Sequence, residues 1–204
     1  MTDTIHVPGD LADIERHCFA LLASGARDRR SAFHLAVLAS AGLDGFPAAR
    51  TVVLRAVDPV ARALRVHTDR RAPKFAEIET DPRISILFYD PAARLQFRFR
   101  ARATLHTGDA AAREIWRDVP ASSRRCYLGL APGSVSATPI SGLPAGLETR
   151  TPTPAESEPG ITNFVVIRAS LLGLDWLHLA SGGHRRARFD WDDGGAGSAT
   201  WLAP

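Results

Sequence analysis

Apolar positions along this chain follow a helical spacing first and a strand spacing afterwards. In "GDLADIERHCFALLASG", Leu11, Ile14, Cys18 and Leu21 or Leu22 recur every three to four residues, which gathers them on one helical face. Asp10 is placed to cap this helix and Gly25 to stop it, so an N-terminal helix is predicted within residues 1–30. The pattern then shifts to alternating or β-branched runs: "FHLAVLAS", "ARTVVLRAV", "ALRVHT", "RISILFY", "RLQFRFRARATLHT", "ITNFVVIRASLLG", "LDWLHLA", "HRRARFDW" and "ATWLAP". Gly, Pro and Asp bound them, as hairpin-linked antiparallel strands require. In the longest run Leu95, Phe97 and Phe99 face one way and Gln96, Arg98 and Arg100 the other, so one face is core and the other wet or ligand-facing. Short helices are predicted after Pro73, in "GDAAAREIWRDVP" and in "ASSRRCYLGLAPG". The run "PGSVSATPISGLPAGLETRTPTPAESEPG" has no period, and its residues 134–160 are predicted as a mobile loop. The expectation is a single domain over 1–204, a mainly β, antiparallel barrel with flanking helices.

Composition narrows the function classes. A chain of 204 residues with 45% hydrophobic content can bury one sizeable core. The net charge of +3 is spread along the whole chain instead of forming a basic stripe interleaved with aromatics, which argues against nucleic acid as a partner. Cys18 and Cys126 are far apart and match no metal-ligand spacing, so free thiols and no metal are expected. The first residues lack a basic segment leading into an unbroken apolar run, and no stretch approaches a membrane span. A cytoplasmic protein without a membrane partner is expected. No Ser-His-Asp order, paired-carboxylate motif, Walker loop or GxGxxG is present, so nucleophilic catalysis is not indicated; His67 and His184 are acid–base candidates only.

What remains is a pattern suited to an anion. Of the 25 Lys and Arg residues, Lys74 is the only lysine, and it stands in "HTDRRAPK" where a strand turns into a helix. A helix N-terminus presents unpaired N–H groups and partial positive charge, so phosphate binds there readily. Thr68, Arg70, Arg71 and Lys74 surround that turn. "RTVVLR" adds Arg50 and Arg55, predicted on opposite faces of one strand. Gln96, on the non-apolar face of its strand, can donate and accept at once, which suits the edge of a planar heterocycle. Taken singly each of these is a solvated surface group; together they point to a phosphorylated ligand.

The ordered set "RTVVLR", "HTDRRAPK", "RLQFRFRA", "HRRARF" and "WLAP" resembles the pyridoxamine 5'-phosphate oxidase-like family of FMN-binding split barrels, from about Phe33 to Pro204. The resemblance implies FMN as cofactor, held between the two subunits of a homodimer. It implies that Arg50, Thr51, Val52, Val53 and Arg55 lie along the flavin and its phosphate tail, with His67 beside them. Thr68 and Lys74 would hold the phosphate, Gln96 would bond the isoalloxazine ring, and Arg188 would approach the ring from the C-terminal strands. The chain also departs from the family pattern. Pro73 stands where an Arg precedes the phosphate lysine, which makes Arg71 the candidate for the missing contact. The substrate-phosphate lysine falls at Arg55, and the Tyr and Arg of the substrate site fall near Ile115 and Val119, with Ser123 retained. The flavin-stacking tryptophan falls at Leu177 or the adjacent Trp176. A pocket with Ile and Val in place of charged groups loses the bonds that select the vitamin phosphate, so the oxidase-related branch fits better than the vitamin oxidase itself. The expected function is an FMN-dependent oxidoreductase moving a hydride to or from an unidentified small molecule, with Arg55 hinting at an anionic one; no catalytic residue is assigned. The alternatives are a non-catalytic flavin module for electron transfer or redox sensing, and a related barrel using another cofactor such as a deazaflavin or haem.

Overall fold

The computed structural model describes residues 7–192 and 197–204, so residues 1–6 and 193–196 lie outside the described residues. Helix α1 spans Leu11–Arg27, and the Asp10 carboxylate accepts the Asp13 N–H at 2.8 Å as its cap. Its buried face is Ile14, Cys18, Phe19 and Leu22. Gly25 does not stop it. The helix continues to Arg27, and Gly25 is the point of closest approach to the chain beyond: a Cβ there would lie 2.6 Å from the Phe33 carbonyl carbon and oxygen.

The strands are β1 (Leu35–Ala41), β2 (Pro47–Val53), β3 (Ala56–Asp58), β4 (Ala63–Asp69), β5 (Arg83–Asp90), β6 (Leu95–His106), β7 (Phe164–His178), β8 (Arg185–Trp191) and β9 (Gly197–Leu202). The helices after α1 are α2 (Pro73–Thr80), α3 (Ala110–Asp118) and two single turns, α4 (Ala121–Arg124) and α5 (Pro154–Ser157). All strand pairs are antiparallel, in the order β2-β1-β5-β6-β7-β4-β3, with β8 pairing both β7 and β9. The sheet curls into a half-barrel around Leu38, Ile86, Phe88, Phe97, Phe99 and Ile167, and α1 closes one side of it.

Several boundaries differ from the sequence expectation. "ARTVVLRAV" is two strands. β2 ends at Val53, the Arg55 N–H then donates to the Arg65 carbonyl at 2.8 Å, and β3 goes on to pair with β4. Arg50 and Arg55 are therefore not opposite faces of one strand; the chain changes pairing partner between them. "ITNFVVIRASLLG" and "LDWLHLA" are instead a single fifteen-residue strand, β7. "ASSRRCYLGLAPG" shortens to α4 and a 3-10 turn over Arg125–Tyr127. The run predicted as a mobile loop ends in helical structure, where Thr153 and Glu156 form a reciprocal capping box for α5.

A second, smaller core of Trp116, Val119, Phe164 and Val166 lies under α3 on the other side of the sheet. Arg124 is buried at its edge and donates to the carbonyls of Val119 (2.8 Å) and Trp116 (2.7 Å). Its guanidinium also pairs with Glu158 at 3.1 Å and lies 4.6 Å above the Trp116 ring. The residues that follow it, 125–127, are thereby held against the sheet.

Phe97 is fully buried and stacks on Phe33 with ring centroids 4.9 Å apart. Phe97→Ala is expected to cost about 3–5 kcal/mol, read as a lowered midpoint in denaturant unfolding. Val60→Ala, at a residue 93% exposed, is the control and should change stability by less than ~0.5 kcal/mol.

Candidate cofactor site

One cavity gathers most of the predicted residues. It has a volume of about 280 Å³ and is lined by Thr51, Val52, Val53 and Arg55 from the end of β2, His67 and Thr68 from β4, and Lys74 from α2. The antiparallel pairing that ends β2 at Val53 brings it across from β4, and the Asp69–Ala72 turn delivers Pro73 and Lys74 to the same rim. Pro73 opens α2, a position where its missing N–H costs nothing, and no side chain caps this end. The Lys74 Nζ donates to the buried Thr68 hydroxyl at 3.2 Å. Burial, and then the positive charge of Arg50, lower the Lys74 pKa, while Glu77 and Asp69 act against that shift. Among the described residues its hydrogen-bond partner is a hydroxyl, and a lysine so placed gains from an anion.

His67 meets Phe164 edge-on at 4.8 Å, and its Nε2 is buried without a hydrogen-bond partner. Burial first, then the charges of Arg55 and Arg65, bring its pKa down to about 3, so the imidazole is neutral at ordinary pH. An orphaned polar atom in the wall of a cavity is what a polar ligand would satisfy.

Two predicted cations are engaged elsewhere. Arg50 is turned away from this cavity. It donates Nη2 to the buried Glu77 carboxylate at 2.6 Å and Nη1 to the Ser40 hydroxyl at 2.5 Å, and Ser40 donates in turn to Glu77 at 2.6 Å. Arg71 makes a two-pronged pair with Asp69, at 2.9 and 2.7 Å, and gives its remaining arm to the Gly129 carbonyl at 2.9 Å. That bond ties the segment after the 125–127 turn to the β4–α2 corner. Arg70 is exposed, and His184 is exposed ahead of β8.

Gln96 and Arg188 are not in the cavity. The ladders align Gln96 with Leu177 and Arg186 in one row and Arg98 with Asp175 and Arg188 in the next, so Gln96 and Arg188 share the solvent face of β6, β7 and β8. Arg188 pairs with Asp190 at 3.0 Å. Trp176 points the other way into the core, 1% exposed, and Leu177 occupies the outward position beside Gln96. The site residues thus form two groups, a pocket with phosphate donors and an open face with the glutamine.

The cavity also holds residues that strand and turn motifs did not flag: Asp69, Ala72, Cys126, Tyr127 and Pro132. Tyr127 is held by Phe164 and Trp116, and burial raises its pKa, so its hydroxyl stays protonated. Its contribution comes from a 3-10 turn with no periodic signal, and only the tertiary anchor at Arg124 places it. A second cavity of about 360 Å³ adjoins the first, sharing Arg55, His67, Cys126 and Tyr127, and continues past Ile115, Val119 and Ser123. Among the described residues no group of His, Cys, Asp and Glu is arranged for a metal, and no helix is long and apolar enough to cross a membrane.

Residues 17–107 match the family model for the FMN-binding domain of pyridoxamine 5'-phosphate oxidase. No curated protein sequence matches the chain. Among solved structures, a pyridoxamine 5'-phosphate oxidase-related, FMN-binding protein from Nostoc punctiforme is 25% identical with a TM-score of 0.74, over 93% of this chain and 96% of its own. PhzG from Burkholderia lata, solved with tetrahydrophenazine-1-carboxylic acid, has a TM-score of 0.68 at 18% identity, over 100% of this chain and 97% of its own. A general stress protein 26-related protein from Clostridium acetobutylicum has a TM-score of 0.54 at 9% identity, over 87% and 95% of the two chains. The last two likenesses carry the fold alone. Residues 17–107 thus match the FMN-binding domain of pyridoxamine 5'-phosphate oxidase, the fold is that of the FMN-binding split barrels, and the cofactor is FMN.

Proposed function

We propose that this protein is an FMN-dependent oxidoreductase that transfers a hydride to or from a small molecule. The observation that carries this reading is the second cavity. A flavin module that only stores or passes electrons needs no space beside its ring, whereas here about 360 Å³ adjoins the cofactor pocket through four shared residues. Bound FMN would supply hydride chemistry at its N5. The protein's own residues would do the rest. Lys74 and Thr68 hold the phosphate end, helped by the free N–H groups at the start of α2. Thr51, Val52 and Val53 border the pocket along one edge. His67 is neutral and offers Nε2 for a hydrogen bond without adding charge. Arg71 serves the pocket indirectly, by fixing the Gly129 segment on its rim.

The split between pocket and open face supports a homodimer with FMN at the subunit interface. A second copy would bring Gln96 and Arg188 to the ring edge, Arg188 beside negative charge on the reduced flavin, and would cover Leu177. A cytoplasmic location goes with this reading.

Lys74→Ala should weaken FMN binding by about 10–100-fold, the loss of a charge-assisted contact, while the denaturation midpoint of the apoprotein stays close to wild type. Quenching of flavin fluorescence on titration checks it, and wild-type affinity in the variant would remove Lys74 from the site. The FMN-loaded protein should sediment as a dimer; a flavin-loaded monomer would sink the two-subunit site.

His67 gives a pH prediction. Its folded pKa of about 3 lies below the unfolded value, so the unfolded chain binds the extra proton between the two. The stability associated with a neutral His67 is fully present above about pH 6.5 and is lost as pH falls toward 3. His67→Gln should therefore show a shallower fall in stability between pH 7 and pH 5 than wild type, measured by denaturant unfolding at the two values. An identical slope would mean that His67 is not held neutral.

A further inference from the structure

A third cavity, of about 240 Å³, lies between α3 and the sheet. Its apolar walls are Ala56 and Val57 from β3, Ala63 from β4, Val166 from β7, and Ala111 with Ile115 from α3. Ala111 and Ile115 stand one turn apart, while their neighbours Ala112 and Trp116 are the residues that α3 buries. The helix thus rests on the sheet through Ala112 and Trp116 and leaves a gap beside them. Alanine at 56, 63 and 111 keeps that gap open, because these walls end at a methyl group. Most polar groups of the lining are already engaged. Asp58 accepts the N–H groups of Val60 and Ala61 at 3.0 and 2.8 Å, His106 bonds Asp109 at 2.8 Å, and Arg168 donates to Ser170 at 2.9 Å. Arg65 is the exception, with a buried Nε that has no acceptor among the described residues. What this lining chiefly offers a ligand is apolar surface.

The third cavity also continues a series along β4. His67 lines the cofactor pocket and the second cavity, Arg65 lines the second and the third, and Ala63 lines the third. Alternate residues of a strand share a face and lie about 7 Å apart, so the three spaces follow one another along one face of one strand. Ile115 lines the second and third cavities as well, so Arg65 and Ile115 stand where those two meet. We propose that the substrate carries an apolar arm, a single aromatic ring or a branched alkyl group, which seats in the third cavity while the reacting part lies in the second, and that Ala111 sets the size of the arm. The inference rests on the second cavity being the substrate site of the proposed flavoenzyme, and it names the substrate class for that site. An apolar cavity of about 150 Å³ takes up benzene, so about 240 Å³ holds one ring with room for a substituent. Each methylene buried against such a wall strengthens binding about 4-fold. Ala111 lines neither the cofactor pocket nor the second cavity, so its effect is separable from flavin binding.

The test is calorimetric titration of benzyl alcohol, 4-phenylbutan-1-ol and butane-1,4-diol into wild-type protein, with and without FMN. The ring and chain of 4-phenylbutan-1-ol together reach from the third cavity into the second, so it should bind at least about 10-fold more tightly than benzyl alcohol. Butane-1,4-diol, which has no apolar arm, should show no saturable binding. Ala111→Phe fills the third cavity. It should weaken 4-phenylbutan-1-ol by about 10–100-fold while FMN affinity stays within about 2-fold of wild type. Should Ala111→Phe not fold, Ala111→Leu fills less of the space and should still weaken the phenyl alcohol several-fold. Wild-type affinity for 4-phenylbutan-1-ol no greater than for butane-1,4-diol would overturn the proposal, as would an Ala111→Phe protein that binds the phenyl alcohol like wild type. In FMN-loaded protein either result removes the arm and leaves the flavoenzyme reading standing. A protein that takes up no FMN yet loses the phenyl alcohol through Ala111→Phe would keep the apolar seat and sink the flavoenzyme reading instead.

Discussion

The long strand β7 is the constraint on which the rest of the molecule depends. It pairs with β6 along most of its length, with β4 through its first half and with β8 through its second, so three neighbours take their register from one strand. Within it the alternation changes phase. Val165, Ile167, Ala169 and Leu171 are buried at odd positions, then Leu174 and Trp176 at even ones. The ladder shows where the change occurs: Arg100 faces Gly173 and Ala101 faces Leu171, which leaves Leu172 as the extra residue of a bulge. Gly173 suits this point because a Cβ would come within 2.8 Å of the Phe189 carbonyl oxygen and 2.9 Å of the Arg100 guanidinium. The bulge turns Trp176 inward and Leu177 outward. It thereby decides which residue a flavin bound near Gln96 would meet.

Around the cavities the arrangement of charge is more informative than the number of arginines. Arg50 and Arg71 look alike in sequence to the cations beside them, but each is neutralised by its own carboxylate, Glu77 or Asp69, both largely buried. These pairs are structural. Removing one partner would leave a buried charge uncompensated, and their presence keeps the local positive potential from being spread over the whole corner. Among the described residues Lys74, Arg55 and Arg65 close no such ion pair, although Glu77 and Asp69 attract Lys74 and Asp118 attracts Arg65 from a distance. The two classes differ in geometry, since Glu77 stands on α2 three residues beyond Lys74 and faces β1 and β2, whereas Arg55 and Arg65 face a cavity wall made of Ile115 and Val119. The unpaired cations are thus those beside empty volume.

This difference marks what was legible in the sequence. The fold class and the antiparallel strands followed from alternation and turn chemistry, local properties of the chain, whereas Thr51, Val52, Val53, Arg55, His67, Thr68 and Lys74 as one group were implied by the resemblance that the ordered motifs carry. The reading failed where tertiary contacts overrule local pattern. Gly25 resembles a helix stop but is a contact point for Phe33, and Arg71 resembles a phosphate ligand but holds Asp69 and Gly129. The break at Leu54–Arg55 has no Gly or Pro to announce it; it arises because Leu54 donates back to His34 while Arg55 donates forward to Arg65. Parity carried through β7 from Ile167 would place Trp176 outside, and only the bulge reverses that. Tyr127 and Cys126 reach the cavity because Arg124 is bonded to Val119 and Trp116, which no motif expresses.

Those failures share a cause that bears on function. A local pattern is set by folding, and it reads correctly where burial is the only demand on a residue. Where two demands meet at one residue, the pattern loses its meaning. Arg65 has a strand position whose partial exposure suits a solvated cation, yet its Nε is buried and has no acceptor among the described residues. Folding alone gains little from that placement, because burial disfavours the cation and lowers its pKa, and the charge of Asp118 offsets this only in part. A ligand that binds the folded state alone repays such a cost through mass action, and the repayment grows with ligand concentration.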